Sequence, residues 1–177
     1  MKKRVLISTG GSGGHVVPGT IFYDHLKYEF EMFMTSDHRG IKFLDENKYN
    51  TKILDIPKLS KNIFLIPIQF FSIIYSIYKS ILFLKREKIE ILISTGGYMA
   101  LPLCLASKFL NVKLFLFEPN MVLGRSNKFF ISYCKKIFCY TNNVKNLPIE
   151  KKNKISLIPA LLRKEFYKID NTNVDEK

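Results

Sequence analysis

The sequence predicts an α/β fold, a parallel sheet with helices on both faces, and three observations carry that prediction. Short apolar runs alternate along the 177 residues with stretches of helical spacing. The runs are continuous in apolar character, as strands buried on both faces are, and strand–helix–strand alternation requires parallel pairing with right-handed crossovers. The run Leu6–Gly11 also recurs residue for residue as Leu92–Gly97. Two strands therefore leave one edge of the sheet through the same glycine turn, and in open α/β sheets ligands bind at that carboxyl edge.

Taken in order, Lys3 to Thr9 reads as a buried strand. Gly10-Gly11-Ser12-Gly13-Gly14-His15 follows, and Val16 to Tyr28 carries helical spacing with Pro18 in its first turn. Phe30 to Thr35 is a second strand, Ser36 to Gly40 a polar loop, Ile41 to Glu46 a short helix, and Thr51 to Ile56 a third strand. Ile89 to Ser94 is the fourth strand, with a helix from Tyr98 to Leu110. Val112 to Phe117 is the fifth strand, ending in Glu118-Pro119-Asn120. Leu123 to Tyr133 is helical, Lys136 to Tyr140 and Ile155 to Ile158 are short strands, and Asn171 to Lys177 is a polar tail. One domain over 1–168 and a tail over 169–177 account for the chain.

Residues 62–84 are the exception to soluble-core patterning. They are long and apolar enough as a helix to span a bilayer core. Gln69, Ser72, Ser76, Lys79 and Ser80, however, recur at spacings of three and four, a narrow polar stripe that leaves a very wide apolar face. Lys58, Lys61, Lys85, Arg86 and Lys88 flank it. That pattern predicts a helix lying on an anionic membrane surface, in preference to a core helix or a true span. Pro67 kinks the helix or delays its start.

Lys and Arg number 28 against 15 Asp and Glu, a formal charge of +13. The basic residues are spread along the chain and no nucleic-acid motif accompanies them. The charge therefore points to a phosphorylated substrate or anionic lipid, with no nucleic-acid partner. Cys104, Cys134 and Cys139 are odd in number and lack ligand spacing, so they predict neither a disulfide framework nor a zinc site, but free thiols in a reducing compartment. The basic start Met1-Lys2-Lys3-Arg4 precedes too short an apolar run for a signal peptide.

Four glycines in five residues let the backbone turn sharply and approach a ligand closely. A helix opening just beyond them aims its unsatisfied N–H groups and positive dipole end at an anion, most naturally a phosphate. His15 adds a group that donates, accepts or carries charge near neutrality. The loop is not a dinucleotide fingerprint, which would need glycine where Val16 stands, nor a P-loop, which would need Gly-Lys-Ser/Thr.

Three motifs then carry a resemblance: GGSGGHVVPG (Gly10–Gly19), STGGYMALPLCLA (Ser94–Ala106) and FEPNMVLGRSNK (Phe117–Lys128). In this order and spacing the chain, from Arg4 to Arg163, resembles the N-terminal half of the bacterial peptidoglycan N-acetylglucosaminyltransferases of glycosyltransferase family 28. The resemblance implies a Rossmann-like domain, half of a GT-B fold whose other half holds most of the UDP-N-acetylglucosamine donor. It implies transfer of N-acetylglucosamine to undecaprenyl-linked lipid I, giving lipid II, at the cytoplasmic face of the membrane, with the protein bound peripherally. No cofactor and no metal are implied.

By that resemblance Ser12, Gly13 and Gly14 touch the donor or its diphosphate, together with Asn120 and Arg163. Gly96, Gly97 and Tyr98 belong to the acceptor side. His15 and Glu118 are the catalytic candidates, His15 as a base or as a group steadying the diphosphate. Phe117 and Pro119 stand where the family usually has histidine and glutamine, and Pro159-Ala160-Leu161-Leu162 stands where its interdomain link usually contains Gly-Asn-Pro. The donor domain is expected beyond this sequence, which on its own should have little or no transferase activity. The alternative reading is a non-catalytic membrane-docking subunit whose donor domain is a separate chain, as in the eukaryotic two-subunit N-acetylglucosaminyltransferase.

Overall fold

A computed structural model describes residues 2–54, 56 and 66–161 of the chain. Among them seven strands form one all-parallel sheet: β1 (Arg4–Ser8), β2 (Glu31–Ser36), β3 (Thr51–Ile53), β4 (Ile91–Ser94), β5 (Lys113–Glu118), β6 (Lys136–Cys139) and β7 (Ile155–Leu157). Their order in the sheet is β3-β2-β1-β4-β5-β6-β7. Val5 of β1 lies beside Met32 on one side and Ile91 on the other. The chain thus builds outward from β1 through β2 to β3, returns, and builds outward the other way from β4. The reversal between β1 and β4 opens a crevice at their carboxyl ends.

Successive strand residues point to opposite faces, and both faces are covered. On one face Leu6, Leu92, Leu114 and Leu116 pack with Phe83, Leu84, Leu103 and Phe130. These partners come from helices α2 (Ile66–Arg86), α3 (Leu101–Phe109) and α4 (Arg125–Phe130). On the other, Val5, Ile7, Ile93 and Phe117 meet Phe22 and Tyr23 of α1 (Gly13–Leu26). Phe22 sits edge-on to Phe117 with ring centroids 5.2 Å apart. Gly19 lets α1 lie close on β1, since a Cβ there would be 3.3 Å from the Thr9 Cβ. The expected fold class is the one observed.

Several boundaries differ from the expected ones. Helix α1 opens at Gly13, three residues before Val16, because the glycine turn leads straight into helical geometry. Pro18 is therefore inside the helix. It has no N–H to donate to the Gly14 carbonyl, so the helix forgoes one bond of its ladder there. The helix expected over Ile41 to Glu46 is a single 3₁₀ turn, Ile41–Phe43, and the helix after the second glycine pair opens with another, Tyr98–Ala100. The helix expected over Leu123 to Tyr133 is confined to α4. The end of the expected domain, residues 162–168, and the tail lie outside the described residues.

Helix α2 is described from Ile66, next to Pro67, and the expected beginning of this stretch, residues 62–65, lies outside the described residues. Its serines face inward: Ser76 and Ser80 are buried, and each hydroxyl donates to the carbonyl four residues earlier, at 2.9 and 2.8 Å. Ile68, Phe70, Phe71, Ile74, Tyr75, Tyr78 and Leu82 are all exposed. The polar stripe lies on the protein, against α3, and the apolar face points out. Lys79 leaves the stripe and stands over the Tyr75 ring, 4.5 Å from its centroid. By length and composition α2 could also cross a bilayer. The three cysteines are free and buried, and burial pushes the Cys104 thiol up to about 12 and the Cys139 thiol to about 11, so both remain protonated.

Candidate functional site

Three turns meet at the carboxyl edge, and the first is the glycine loop after β1. Gly10 and Gly11 have φ of 147° and 81°, and their repeats Gly96 and Gly97 after β4 have 86° and 79°. Side-chain-bearing residues rarely adopt these values, which is why the same glycines recur. Ser12 is extended, and its carbonyl accepts the N–H groups of His15 and Val16 at 3.0 and 3.1 Å. The N–H groups of Gly13 and Gly14, one turn from any intrahelical acceptor, are presented at the positive end of α1. Ser12 and Gly14 are exposed there, while Gly13 packs near the Phe43 ring.

His15 ties this loop to the second turn. Its Nδ1 lies 2.7 Å from the Thr95 carbonyl oxygen. A carbonyl only accepts, so Nδ1 carries a proton, and in the neutral ring Nε2 is the nitrogen with the lone pair. A Cβ on Gly97 would come within 3.3 Å of Nε2, and one on Gly96 within 3.6 Å of Cε1. The second glycine pair is thus what makes room for the imidazole. Tyr98 follows, half-buried, and burial raises its phenol above the ordinary value against the opposing charge of Arg39, keeping it protonated.

The third turn follows β5 and carries Glu118, one of the two catalytic candidates. Glu118 is 2% exposed, and both its oxygens accept hydrogen bonds. Oε1 accepts from the Asn120 backbone N–H at 3.2 Å and from Asn120 Nδ2 at 2.9 Å. Oε2 accepts from the Gly124 N–H at 2.7 Å and from Asn127 Nδ2 at 3.0 Å. Four donors hold the carboxylate in place, and through two of them Glu118 orients the exposed Asn120.

Two residues that sequence reading missed complete the arrangement. Asp37, 3% exposed, accepts from Gly11 N–H at 2.7 Å, Gly40 N–H at 2.9 Å and Arg39 Nε at 2.8 Å. Burial opposes its charge, but those three donors and the Arg39 charge outweigh burial and hold its carboxyl below the ordinary value. The polar loop Ser36 to Gly40 was legible only as a loop, and nothing local marks Asp37 as the clamp on Gly11. Asn127 donates to Phe117 O and Glu118, and its buried Oδ1, without a partner among the described residues, lies beside Gly96.

The structure therefore brings Ser12, Gly13, Gly14, His15, Gly96, Gly97, Tyr98 and Asn120 to one sheet edge, and places Glu118 beneath it. Arg163 lies outside the described residues. Among those residues no three metal-ligating side chains cluster.

The family model for the glycosyltransferase family 28 N-terminal domain matches residues 5–139, from β1 through β6. The chain belongs to glycosyltransferase family 28. Within it, the chain is 63% identical over 94% of its length to a Pelagibacter ubique UDP-N-acetylglucosamine–N-acetylmuramyl-(pentapeptide) pyrophosphoryl-undecaprenol N-acetylglucosamine transferase, covering 47% of that protein. It is 36% identical over 93% of its length to the Rickettsia canadensis protein of the same name, covering 46%. A crystal structure of Acinetobacter baumannii MurG superposes with a TM-score of 0.75 at 20% identity, over 97% of this chain and 50% of that one. That likeness fixes the fold as the family's N-terminal Rossmann-like domain. The chain spans about half the length of the relatives it matches.

Proposed function

We propose that this chain is the acceptor-binding half of an enzyme that transfers N-acetylglucosamine from UDP-N-acetylglucosamine to lipid I, giving lipid II. The observation that carries the reading is the convergence on one edge of the glycine loop, His15 and Asn120. The chain that holds them is 63% identical to a transferase of that name. The chemistry is a displacement without a covalent enzyme intermediate. An acceptor hydroxyl attacks the anomeric carbon, the bond to UDP breaks, and the hydroxyl proton passes to His15 Nε2. The Gly13 and Gly14 N–H groups stabilise diphosphate charge.

The experiment is complementation. The chain supplied with the donor half of a family relative, in trans or fused, is expected to form lipid II from lipid I and UDP-N-acetylglucosamine, and the chain alone to form little. No product from a folded, donor-competent pair would overturn the reading.

The proposed working place is the cytoplasmic membrane face, with α2 lying on the surface. Its outward Phe and Tyr side chains and its Lys85 and Arg86 end suit an anionic interface. The chain is expected to bind anionic vesicles more tightly than neutral ones, with binding weakened by salt. Burying each Phe side chain is worth about 1.5–3 kcal/mol, so Phe70→Ser with Phe71→Ser should reduce partitioning at least about tenfold. Equal, salt-independent binding to both vesicle types would remove the electrostatic part.

A further inference from the structure

Arg39 stands where three carboxyl-edge turns meet, and neither the fold nor the chemistry above accounts for its placement. Its Nε donates to Asp37 Oδ2 at 2.8 Å, and its Nη2 lies 3.6 Å from the Met99 sulfur. The same Nη2 is 3.8 Å from where a Cβ on Gly11 would be. One guanidinium thus contacts the loops after β2 and β4 and lies beside the glycine loop after β1. Its side chain is nonetheless 52% exposed, while that of Asp37 is 5% exposed.

The way the pair is made is informative. Arg–carboxylate pairs are frequently made with two parallel N–H donors, a fork-on-fork arrangement that adds strength and direction. Here Asp37 takes a single donor from Arg39 and spends Oδ1 on the Gly11 and Gly40 N–H groups. The Nη edge is left facing a thioether, a weak acceptor, and Nη1 has no partner among the described residues. Gly40 is required for this packing, since a Cβ there would run into Ser36 Oγ and come within 2.9 Å of Gly10 Cα. A buried carboxylate therefore anchors the guanidinium by its Nε side and leaves the fork that recognises phosphate oxygens open beside the glycine loop.

We propose that Arg39 is a diphosphate ligand of this site, its Nη groups taking phosphoryl oxygen on the Gly11 side while the Gly13 and Gly14 N–H groups serve the α1 side. This rests on the reading of the glycine loop given under the proposed function. Asp37 already offsets one unit of charge, so Arg39 contributes direction and a bidentate fork more than net charge. The same chemistry is offered by a nucleoside diphosphate donor and by a prenyl diphosphate carrier.

The test is an NMR-detected titration of the 177-residue chain with inorganic pyrophosphate, UDP and farnesyl diphosphate. Wild-type protein is expected to shift the Gly11, Gly13 and Gly14 amides. Arg39→Gln is expected to weaken at least one of the three by about tenfold or more, as loss of a charged hydrogen-bond pair does. Arg39→Lys keeps the ion pair with Asp37 without the fork, so it should fold as wild type does and bind with intermediate affinity. A loss confined to UDP assigns Arg39 to the donor, and one confined to farnesyl diphosphate to the carrier. Wild-type affinity for all three probes in both variants, with Gly13 and Gly14 still shifting, would overturn Arg39 and leave the loop reading intact. Absence of any shift in the wild type would take down both.

Discussion

His15→Ala, assayed in the chain complemented with a donor half, is expected to lower lipid II formation by about a hundred- to ten-thousand-fold, the range for removing a general base. The loss should fall on kcat rather than on KM for either substrate. The reason lies in how the ring is held. Thr95 O fixes the Nδ1–H tautomer at 2.7 Å, so the basic nitrogen is the one turned toward the Gly97 side of the crevice. Alanine removes that nitrogen, yet it should leave the fold in place. His15 lies in the first turn of α1, is only partly buried, and its neighbour Val16 supplies the packing. His15→Gln sharpens the test, because its amide can still donate to Thr95 O but offers no base. If Gln restores turnover, His15 acts by positioning or by steadying the diphosphate. If Ala leaves turnover unchanged, His15 has no part in catalysis.

What was legible in the sequence follows from what is local. Continuous apolar runs gave the strands because a strand covered on both faces needs no polar residue, as Val5, Leu6 and Ile7 show. The duplicated Leu6–Gly11 and Leu92–Gly97 gave the two equivalent turns because positive φ is written directly into glycine. Asp37 was not legible, since its role depends on β2 lying beside β1, a register that no local pattern states. Glu118 was visible as a carboxylate at a strand end, but its saturation depends on Gly124 and Asn127 folding back over it. In α2 the stripe and the wide apolar face opposite it were legible, and the structure turns that face outward. Serines can bury by bonding to their own helix, so the polar side went to α3 and the aromatic side outward.

Glu118 supplies the largest expected effect on stability. Glu118→Ala removes the acceptor of the Asn120 N–H, the Asn120 amide and the Gly124 N–H, and leaves the buried Asn127 amide one acceptor short. The buried Asn127 amide left unpaired costs about 1–3 kcal/mol and the emptied side-chain volume adds to it, for a loss of roughly 3–5 kcal/mol, a large share of the ~5–15 kcal/mol that holds a domain of this size together. Glu118→Gln keeps the volume and separates the effects. Whichever way its amide turns, the NH₂ faces two donors, either the Asn120 pair or the Gly124 and Asn127 pair, so it should still cost about 1–3 kcal/mol. Denaturant midpoints at unchanged slope would read both losses. A merely positioning carboxylate also predicts that Asn127→Ala, which takes one of the two donors from Oε2, lowers transfer in parallel with its loss of stability. If instead Glu118→Gln abolishes transfer while its unfolding midpoint stays at the wild-type value, the carboxylate itself meets the substrate. The buried position would then be one that opens on binding.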